Sequence, residues 1–413
     1  MPVKVVIIGA GDRGSTYATF SDVHPDRMEV VGVADPRSDY RNRMAEQYGI
    51  PGDSVFSDWS DVFERAKMAD AVIIATPDRD HADPAIAAAE AGYHVLLEKP
   101  MAVTEADCEA IVAAVEKADI LFSVCHPIRY TAHTRALRGI VESGSIGDIA
   151  SIQHLEPVGY WHQAHSFVRG NWRSEAVSAF MLLTKSCHDL DWLRYMAGAP
   201  CTSISSFGNL LHFNAENRPE GATERCLDCP VERTCPYSAR QIYLDPSRSG
   251  KRDWPISVLT PDPTPENVEH ALRVGPYGRC VYDCDNDVVD HQVVIMEFEN
   301  GITASFTMTA FTDTGHRKTH VFGTRGHLYG NGSVIRRFDF LSDVEFDVPV
   351  TVPKTPGLEG HGGGDYAVMD SFVRAVEEND ASFILSGPRE TLETHRMAFA
   401  AERARRERRV VEL

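Results

Sequence analysis

Short apolar runs alternate with amphipathic stretches over the first 125 positions. The runs Val3–Ile8, Glu29–Ala34, Asp70–Ala75, Val95–Leu97 and Ile120–Val124 are nearly continuous in Val, Ile, Leu and Ala, as strands buried on both faces require. Between them, Ser15–Val23, Asp39–Tyr48, Asp80–Ala91 and Thr104–Ala118 read as helices, with Thr104 and Asp107 forming a variant capping box. Strand–helix alternation of this kind predicts βαβ units and a parallel sheet. Beyond Cys125-His126-Pro127 the pattern changes. A helix over Tyr130–Glu142 stops at Gly144. Strands then dominate, at Ile149–Leu155, Thr202–Leu211, Val288–Glu299, Ile302–Phe311, His316–Phe322 and His327–Tyr329. Asn300-Gly301 between two of them is a hairpin signal. Cys187–Leu193 lies in a helix, and Tyr366–Glu377 and Pro388–Arg406 are helices. Arg residues from 403 to 409 alternate with Glu as a solvated face would.

The first strand runs directly into Gly9-Ala10-Gly11-Asp12-Arg13-Gly14, a G-x-G-x-x-G between a strand and a helix. Gly9 permits a tight turn, Gly11 a close approach to a pyrophosphate, and Gly14 close helix–strand packing. The second strand ends at Asp35, about where an acidic residue would take the ribose hydroxyls of NAD. Arg37 keeps NADP open, since it could pair with a 2′-phosphate. The fold class is therefore α/β. An N-terminal Rossmann dinucleotide-binding domain (1–126) precedes an α+β domain (127–413) with a mostly antiparallel open sheet. Thr76-Pro77 and Glu98-Lys99-Pro100 fall at strand ends on the glycine-loop edge, where such sheets place ligands. Lys99 is a candidate proton carrier there, and Pro100 permits a cis peptide.

The 413 residues are ordinary in hydrophobic (43%) and charged (24%) content, enough for two or three domains. A formal net charge of −19 repels nucleic acid and anionic membrane, so neither is an expected partner. With no long apolar span and a strand at the N-terminus, the chain is expected to be cytoplasmic. Nine cysteines do not read as a disulfide framework. Cys226, Cys229 and Cys235 lie in a Pro- and Arg-rich insertion of about 214–284, and Cys280 or Cys284 would complete a tetrahedral structural zinc site. An iron–sulfur cluster or free thiols are the alternatives. The stretch from Tyr160 to Arg173 is rich in His, Trp and Arg, the aromatic faces and planar donors that bind sugars. His361–Gly364 reads as a flexible loop, with Asp365 as the cap of the helix that follows.

Together these marks resemble the Gfo/Idh/MocA family of glucose–fructose oxidoreductases, inositol dehydrogenases and relatives. They are the N-terminal Gly9–Gly14, Ala75-Thr76-Pro77 followed by His81, Glu98-Lys99-Pro100, Trp172-Arg173 and the helix bearing His188. The resemblance implies tightly held NAD, or NADP, acting on a sugar, cyclitol or polyol, in a homo-oligomer built through the open sheet. It makes Asp12, Arg13, Thr76, Pro77, His81 and Glu98 cofactor-site residues and places Trp172 and Arg173 near the nicotinamide. Lys99 becomes the catalytic or substrate-orienting lysine and His188 the group that takes the hydroxyl proton. One position departs: where the family commonly has Asp, four residues before the His, this chain has Thr184, with Lys185 beside it as a second functional lysine. His126, Arg129, Tyr130, His165, Arg169 and His361 are candidate substrate contacts. Two other functions remain compatible with the motifs. One is a glycosidase or lyase that oxidises its sugar transiently on bound NAD; the other is a sugar-responsive regulator without turnover.

Overall fold

The computed structural model describes residues 1–352 and 355–413. A six-stranded sheet forms from β1 (Val3–Ile8), β2 (Met28–Ala34), β3 (Val55–Phe56), β4 (Ala71–Ile74), β5 (His94–Leu97) and β6 (Phe122–Val124). Its order is β3-β2-β1-β4-β5-β6, and every pairing is parallel. The apolar runs of β1, β4 and β5 are buried almost throughout because helices cover both faces. The order reverses between β2 and β4 around β1, so the crevice opens at the carboxyl end of β1, where the glycine loop lies. Thr104 caps the helix Glu105–Ala118 by accepting the Asp107 N–H at 3.1 Å, as expected.

The second sheet has nine strands. They are β7 (Ile149–Pro157), β8 (Cys201–Asn209), β9 (His291–Phe298), β10 (Thr303–Thr309), β11 (Lys318–Gly323), β12 (Gly326–Gly330), β13 (Ile335–Asp339), β14 (Val344–Val348) and β15 (Val411–Glu412). The order is β14-β13-β12-β11-β7-β10-β9-β8-β15; β10 runs parallel to β7 and the other neighbours are antiparallel. Alternating burial along β9 and β10 leaves one face open, and Gly301, at φ +82°, makes the predicted hairpin turn. The covered face packs on the helix Met181–Ala197, whose Leu182, Leu183, Leu190 and Leu193 are fully buried. β13, β14 and β15 were not anticipated: β14 does alternate apolar and polar residues (Val344-Glu345-Phe346-Asp347-Val348), but it is only five residues long and neither face of it is buried.

The chain does not keep its two sheets apart. Val368, Met369, Phe372 and Val373 of the helix Gly360–Glu378 join the core formed by Val3, Val5 and Ile7. His395 of the helix Pro388–Glu407 accepts the Met101 N–H through Nε2 at 2.8 Å, just past β5. The carboxyl-terminal helices thus complete the six-stranded layer and hold it against the second sheet. The cleft lies at this junction.

Candidate active site

The glycine loop is built as its spacing requires. Gly9 has φ +95°, and a Cβ there would lie 2.5 Å from the Ala75 carbonyl oxygen. A Cβ on Gly14 would lie 2.0 Å from the Gly9 carbonyl oxygen. Both positions therefore need glycine. The helix Asp12–Val23 begins at Gly11 with no side chain capping its first N–H groups, which leaves those donors free for a phosphate. This part of the fold fits a dinucleotide. Asp35 is less available than the sequence implies. Its carboxylate accepts the Ala10 N–H (2.8 Å), the Arg37 N–H (2.9 Å) and both Nε (2.9 Å) and Nη2 (2.8 Å) of Arg37. All four acceptor sites are filled, so a ribose could bind Asp35 only after Arg37 swings away.

Next to this loop lies a cleft of about 540 Å³. Lys99, Lys185, His188, His165, His361 and Trp172 all line it, as do Asp12, Arg13, Thr76, His81 and Glu98. The Lys99–Pro100 peptide is cis. Lys99 Nζ donates to the Thr184 carbonyl oxygen at 2.6 Å, which draws the two sheets together at the site. Glu98 turns away from this lysine's head. One carboxylate oxygen takes Arg13 Nε at 2.7 Å and the Tyr17 hydroxyl at 2.6 Å, and the other takes the Lys99 N–H at 2.7 Å. Arg13 reaches on to Asp365 with both terminal nitrogens (3.0 and 2.9 Å), and His361 Nδ1 lies 2.9 Å from the same carboxylate. Asp365 is therefore not a helix cap. It ties the left-handed turn His361–Gly363 to the cofactor loop, and its buried carboxyl is held well below the usual range once the neighbouring His361 and Arg13 outweigh burial. His81 is a clip: its ring nitrogens lie 2.7 Å from the Pro100 carbonyl and 3.0 Å from the Thr76 carbonyl.

The chemistry concentrates around Lys185 and His188. Lys185 Nζ lies 3.1 Å from Glu156, and burial lowers its pKa. His188 Nε2 lies 2.7 Å from Arg317 Nη2, while His188 Nδ1 is buried with no hydrogen-bond partner among the described residues. Burial, with Arg317 beside it, pushes the His188 pKa well below 6.5. Arg317 also bonds Asp189 through Nε at 2.8 Å, and Asp189 in turn meets His154 at 3.2 Å. Sequence reasoning missed Arg317, Glu156 and Asp189. They come from three separate stretches of chain, Glu156 in β7, Asp189 in the helix Met181–Ala197 and Arg317 just before β11, and only Asp189, next to His188, stood near a recognised motif. It also missed Trp254 and Tyr277, which the insertion contributes to the cleft wall. Tyr277 stacks on His165 with ring centroids 4.9 Å apart.

Several predicted contacts lie elsewhere. Arg129 is buried in a bidentate pair with Asp191 and also bonds the Leu385 carbonyl. Tyr130 is buried against Ser386 (2.9 Å), and His126 is enclosed with its ring edge-on to His395. None of the three faces the cleft: of the short helix Pro127–Tyr130 it is Pro127 that lines it, while Arg129, Tyr130 and the preceding His126 are buried in the junction between the layers. Arg173 pairs with Asp285 in the insertion (3.1 Å) instead of turning inward, whereas Trp172 donates its indole N–H to Asp78 at 2.8 Å from the cleft wall. Arg169 is also withdrawn. It donates to the Arg279 and Tyr237 carbonyls (both 2.8 Å) and to Cys226 Sγ (3.3 Å).

Cys226, Cys229, Cys235 and Cys280 line one small cavity with Arg169, and Cys284 lies outside its lining. All nine cysteines are free thiols. Among the described residues, no three His, Cys, Asp or Glu side chains are placed to hold a metal ion. The zinc expected from the spacing thus has no support in the geometry: the cysteines converge on one cavity without standing as a ligand set. No helix among the described residues is long and apolar enough to cross a membrane.

Two family models match the chain. One, described as the NAD-binding Rossmann fold of the Gfo/Idh/MocA oxidoreductase family, covers residues 3–126; the other, its C-terminal alpha/beta domain, covers residues 138–413. The YteT protein of Bacillus subtilis is 24% identical over 391 residues, 87% of this chain and 85% of its own. A 2,7-anhydro-N-acetylneuraminate hydratase of Escherichia coli is 30% identical over 207 residues, 50% of this chain and 53% of its own, so the chain spans about half of that relative. The NAD(+)-dependent scyllo-inositol 2-dehydrogenase of Bacillus subtilis is 27% identical over 248 residues, 57% of this chain and 68% of its own. A levoglucosan dehydrogenase solved with NADH and L-sorbose superimposes with a TM-score of 0.73 at 20% identity, over 100% of this chain and 99% of that one, a likeness of fold.

Proposed function

Because the chain belongs to the Gfo/Idh/MocA oxidoreductase family, with both domains matched, we propose that its cleft transfers hydride between a carbinol of a sugar, cyclitol or related polyol and a nicotinamide cofactor. The observation that carries this reading is the convergence of Lys99, Lys185 and His188 on one cleft beside an uncapped glycine-loop helix. Bound NAD supplies the ring that accepts the hydride. The Gly9–Gly14 loop and the first turn of the helix Asp12–Val23 hold its pyrophosphate. Lys99, tethered to the Thr184 carbonyl, has further N–H donors for a substrate oxygen and carries no carboxylate partner among the described residues. It orients the carbinol and stabilises negative charge as the O–H bond weakens. His165, Trp172, Trp254 and Tyr277 give the cleft the aromatic faces that pack on sugar rings. The relatives named for inositols and levoglucosan favour a cyclic polyol.

The Arg37 guanidinium beside Asp35 supports NADP as a second cofactor, since it can turn to a 2′-phosphate. The open face of the nine-stranded sheet exposes Phe207 (65%) and Ile295 (47%), which supports a homo-oligomer joined there. A second reading rests on the hydratase relatives: oxidation of one hydroxyl, elimination at the acidified neighbouring carbon, and return of the hydride, with no net NADH.

A panel of cyclitols, sugars, anhydrosugars and glycosides with NAD or NADP, followed by both NADH absorbance and product mass, tests the proposal. At least one cyclic polyol is expected to give NADH and a ketone. Lys99→Ala is expected to lower kcat/KM for it by about 100-fold or more. A Lys99→Ala variant with wild-type turnover would overturn the assignment of Lys99, and product without NADH would favour the hydratase-like reading.

A further inference from the structure

The usual pairing of roles in such a cleft gives the hydroxyl proton to a histidine. The surroundings of His188 do not allow that here. Arginine is a donor with no acceptor and keeps its proton throughout the working range of proteins. In the 2.7 Å contact between Arg317 Nη2 and His188 Nε2, arginine must therefore donate and histidine must accept. The Nε2 lone pair is engaged by a cation, and the ring proton sits on Nδ1, the buried nitrogen without a protein partner. Asp189 does not offset this. Its carboxylate is already bonded to Arg317 (2.8 Å) and His154 (3.2 Å), and it stands 3.7 Å from His188 Nε2. Lys185 has the opposite setting. It lines the same cleft, and its only carboxylate partner among the described residues is Glu156, at 3.1 Å.

We propose that Arg317 is a positioning residue that fixes His188 as a neutral N–H donor toward the substrate oxygen, and that Lys185, poised by Glu156, is the group that takes the hydroxyl proton. This rests on the dehydrogenase reading above. In the oxidising direction the carbinol O–H bond breaks, its electron pair becomes the second bond of the carbonyl, and the proton forms a new N–H bond on neutral Lys185. The carbon's hydride goes to the nicotinamide. His188 Nδ1–H and Lys99 Nζ both donate to the oxygen and neither changes protonation. Three features of the site fit this division. Glu156 is shared, one oxygen toward Lys185 and the other 2.7 Å from Arg317, so the lysine's carboxylate is partly neutralised by a second cation. The charged groups facing Lys185 are Glu156 from β7, Arg317 before β11 and Lys99 after β5, two cations against one anion, and the ring of His162, held neutral by burial, faces it from the other cleft wall. The groups facing His188 are Arg317, Asp189, Lys99 and His361, again weighted against a second positive charge. Burial lowers the pKa of both residues; for lysine that makes a usable base, while for histidine it removes one. Thr184 then needs no carboxylate: its backbone carbonyl holds Lys99, and no imidazolium forms that an aspartate would have to balance.

Two sets of measurements test this. The first needs no turnover. In ¹⁵N-histidine-labelled wild type, the His188 resonances (identified by their loss in His188→Gln) are expected to show protonated Nδ1 and bare Nε2 without titrating from pH 5.5 to 9. Arg317→Met is expected to move His188 toward the other tautomer or bring its titration into that range, and Arg317→Lys, which keeps a cationic donor, to restore the wild-type pattern. A protonated Nε2 in wild type would overturn the role of Arg317. The second set uses a substrate from the panel. His188→Gln retains an N–H donor with no basicity, so it is expected to keep kcat within about tenfold of wild type while His188→Ala falls about 100-fold or more. Lys185→Arg, a cation that does not release its proton, is expected to lose about 100-fold or more in kcat with cofactor affinity unchanged. Glu156→Gln removes the anion that favours the ammonium, so the acid limb of kcat/KM is expected to move to lower pH by about one unit. If Arg317→Met fails to fold, Glu156→Gln and His188→Gln still decide the matter. A His188→Gln as inactive as His188→Ala, or an acid limb unmoved by Glu156→Gln, would overturn the proposal. If no polyol reduces the cofactor at all, the dehydrogenase reading fails while the tautomer measurement still judges Arg317.

Discussion

At the scale of single residues, the site differs from its sequence motif through partners the motif does not contain. Asp35 stands where a ribose-binding acid belongs, yet Arg37, two positions on, fills its acceptor sites and stacks on Tyr40 with its guanidinium carbon 3.8 Å from the ring centroid. Arg37→Ala is expected to free Asp35, raising affinity for NAD and lowering it for NADP. The ratio of the two dissociation constants should shift by about tenfold or more, equivalent to about 1.4 kcal/mol. Titration of each cofactor by protein fluorescence checks this, and an unchanged ratio would place the ribose away from Arg37. Residues whose role is set by backbone sterics were legible in the sequence: Gly9 and Gly14 are required by contacts that follow from strand–turn–helix geometry alone. Residues whose role depends on remote chain were not. Lys185 stood out beside Thr184, but nothing local to position 317 marks an arginine that reaches His188 and Asp189.

At the scale of elements, the reading of periodicity was sound wherever a strand or helix is buried on a defined face. It succeeded for β1, β4, β5 and the hairpin of β9 and β10. It missed β14, which buries neither face, and it gives no sign of the π-helical turn Gln163–Arg169. That turn explains the fate of two predicted contacts: His165 faces the cleft, while Arg169 on the same turn reaches back into the cysteine-lined cavity. The short helix Pro127–Tyr130 gives a sharper case. Its Arg129 is almost fully buried with Asp191 of the helix Met181–Ala197, so it belongs to the packing between elements and not to the substrate. Arg129→Ala takes the guanidinium from the buried Asp191 carboxylate and leaves it only the Thr394 hydroxyl at 3.3 Å, a loss expected to cost about 3–5 kcal/mol of stability. A lower thermal midpoint with KM unchanged in the folded enzyme is the expected outcome. A raised KM with unchanged stability would return Arg129 to the substrate site.

At the scale of the whole molecule, the cleft exists because the carboxyl-terminal helices return to the first sheet. The length and motifs divided the chain near residue 126, but the burial of Phe372 in the core that holds Val5, and the bond of His395 to Met101, join positions more than 250 residues apart, which no local pattern encodes. Two of the histidines buried in this assembly, His165 and His395, have pKa values pushed down to about 3, chiefly by burial. The unfolded chain protonates each near pH 6.5 while the folded chain does not. Below pH 6.5 the unfolded state therefore binds more protons, and each histidine removes roughly 1.4 kcal/mol of stability per pH unit down toward pH 3. Asp365, held below its ordinary range by Arg13 and His361, acts in the same direction below about pH 4. The thermal midpoint is thus expected to rise steeply from pH 4 to 6.5 and flatten above it. A midpoint independent of pH over that window would mean that these histidines are not enclosed as described.

In the proposed reaction, hydride leaves a polyol carbon and stays on the cofactor. This transfer is tested most directly with a substrate from the panel deuterated at the carbinol carbon. One deuterium is expected in the recovered NADH for each ketone formed, with none released to water. Deuterium retained in the product, with no labelled NADH accumulating, would contradict it.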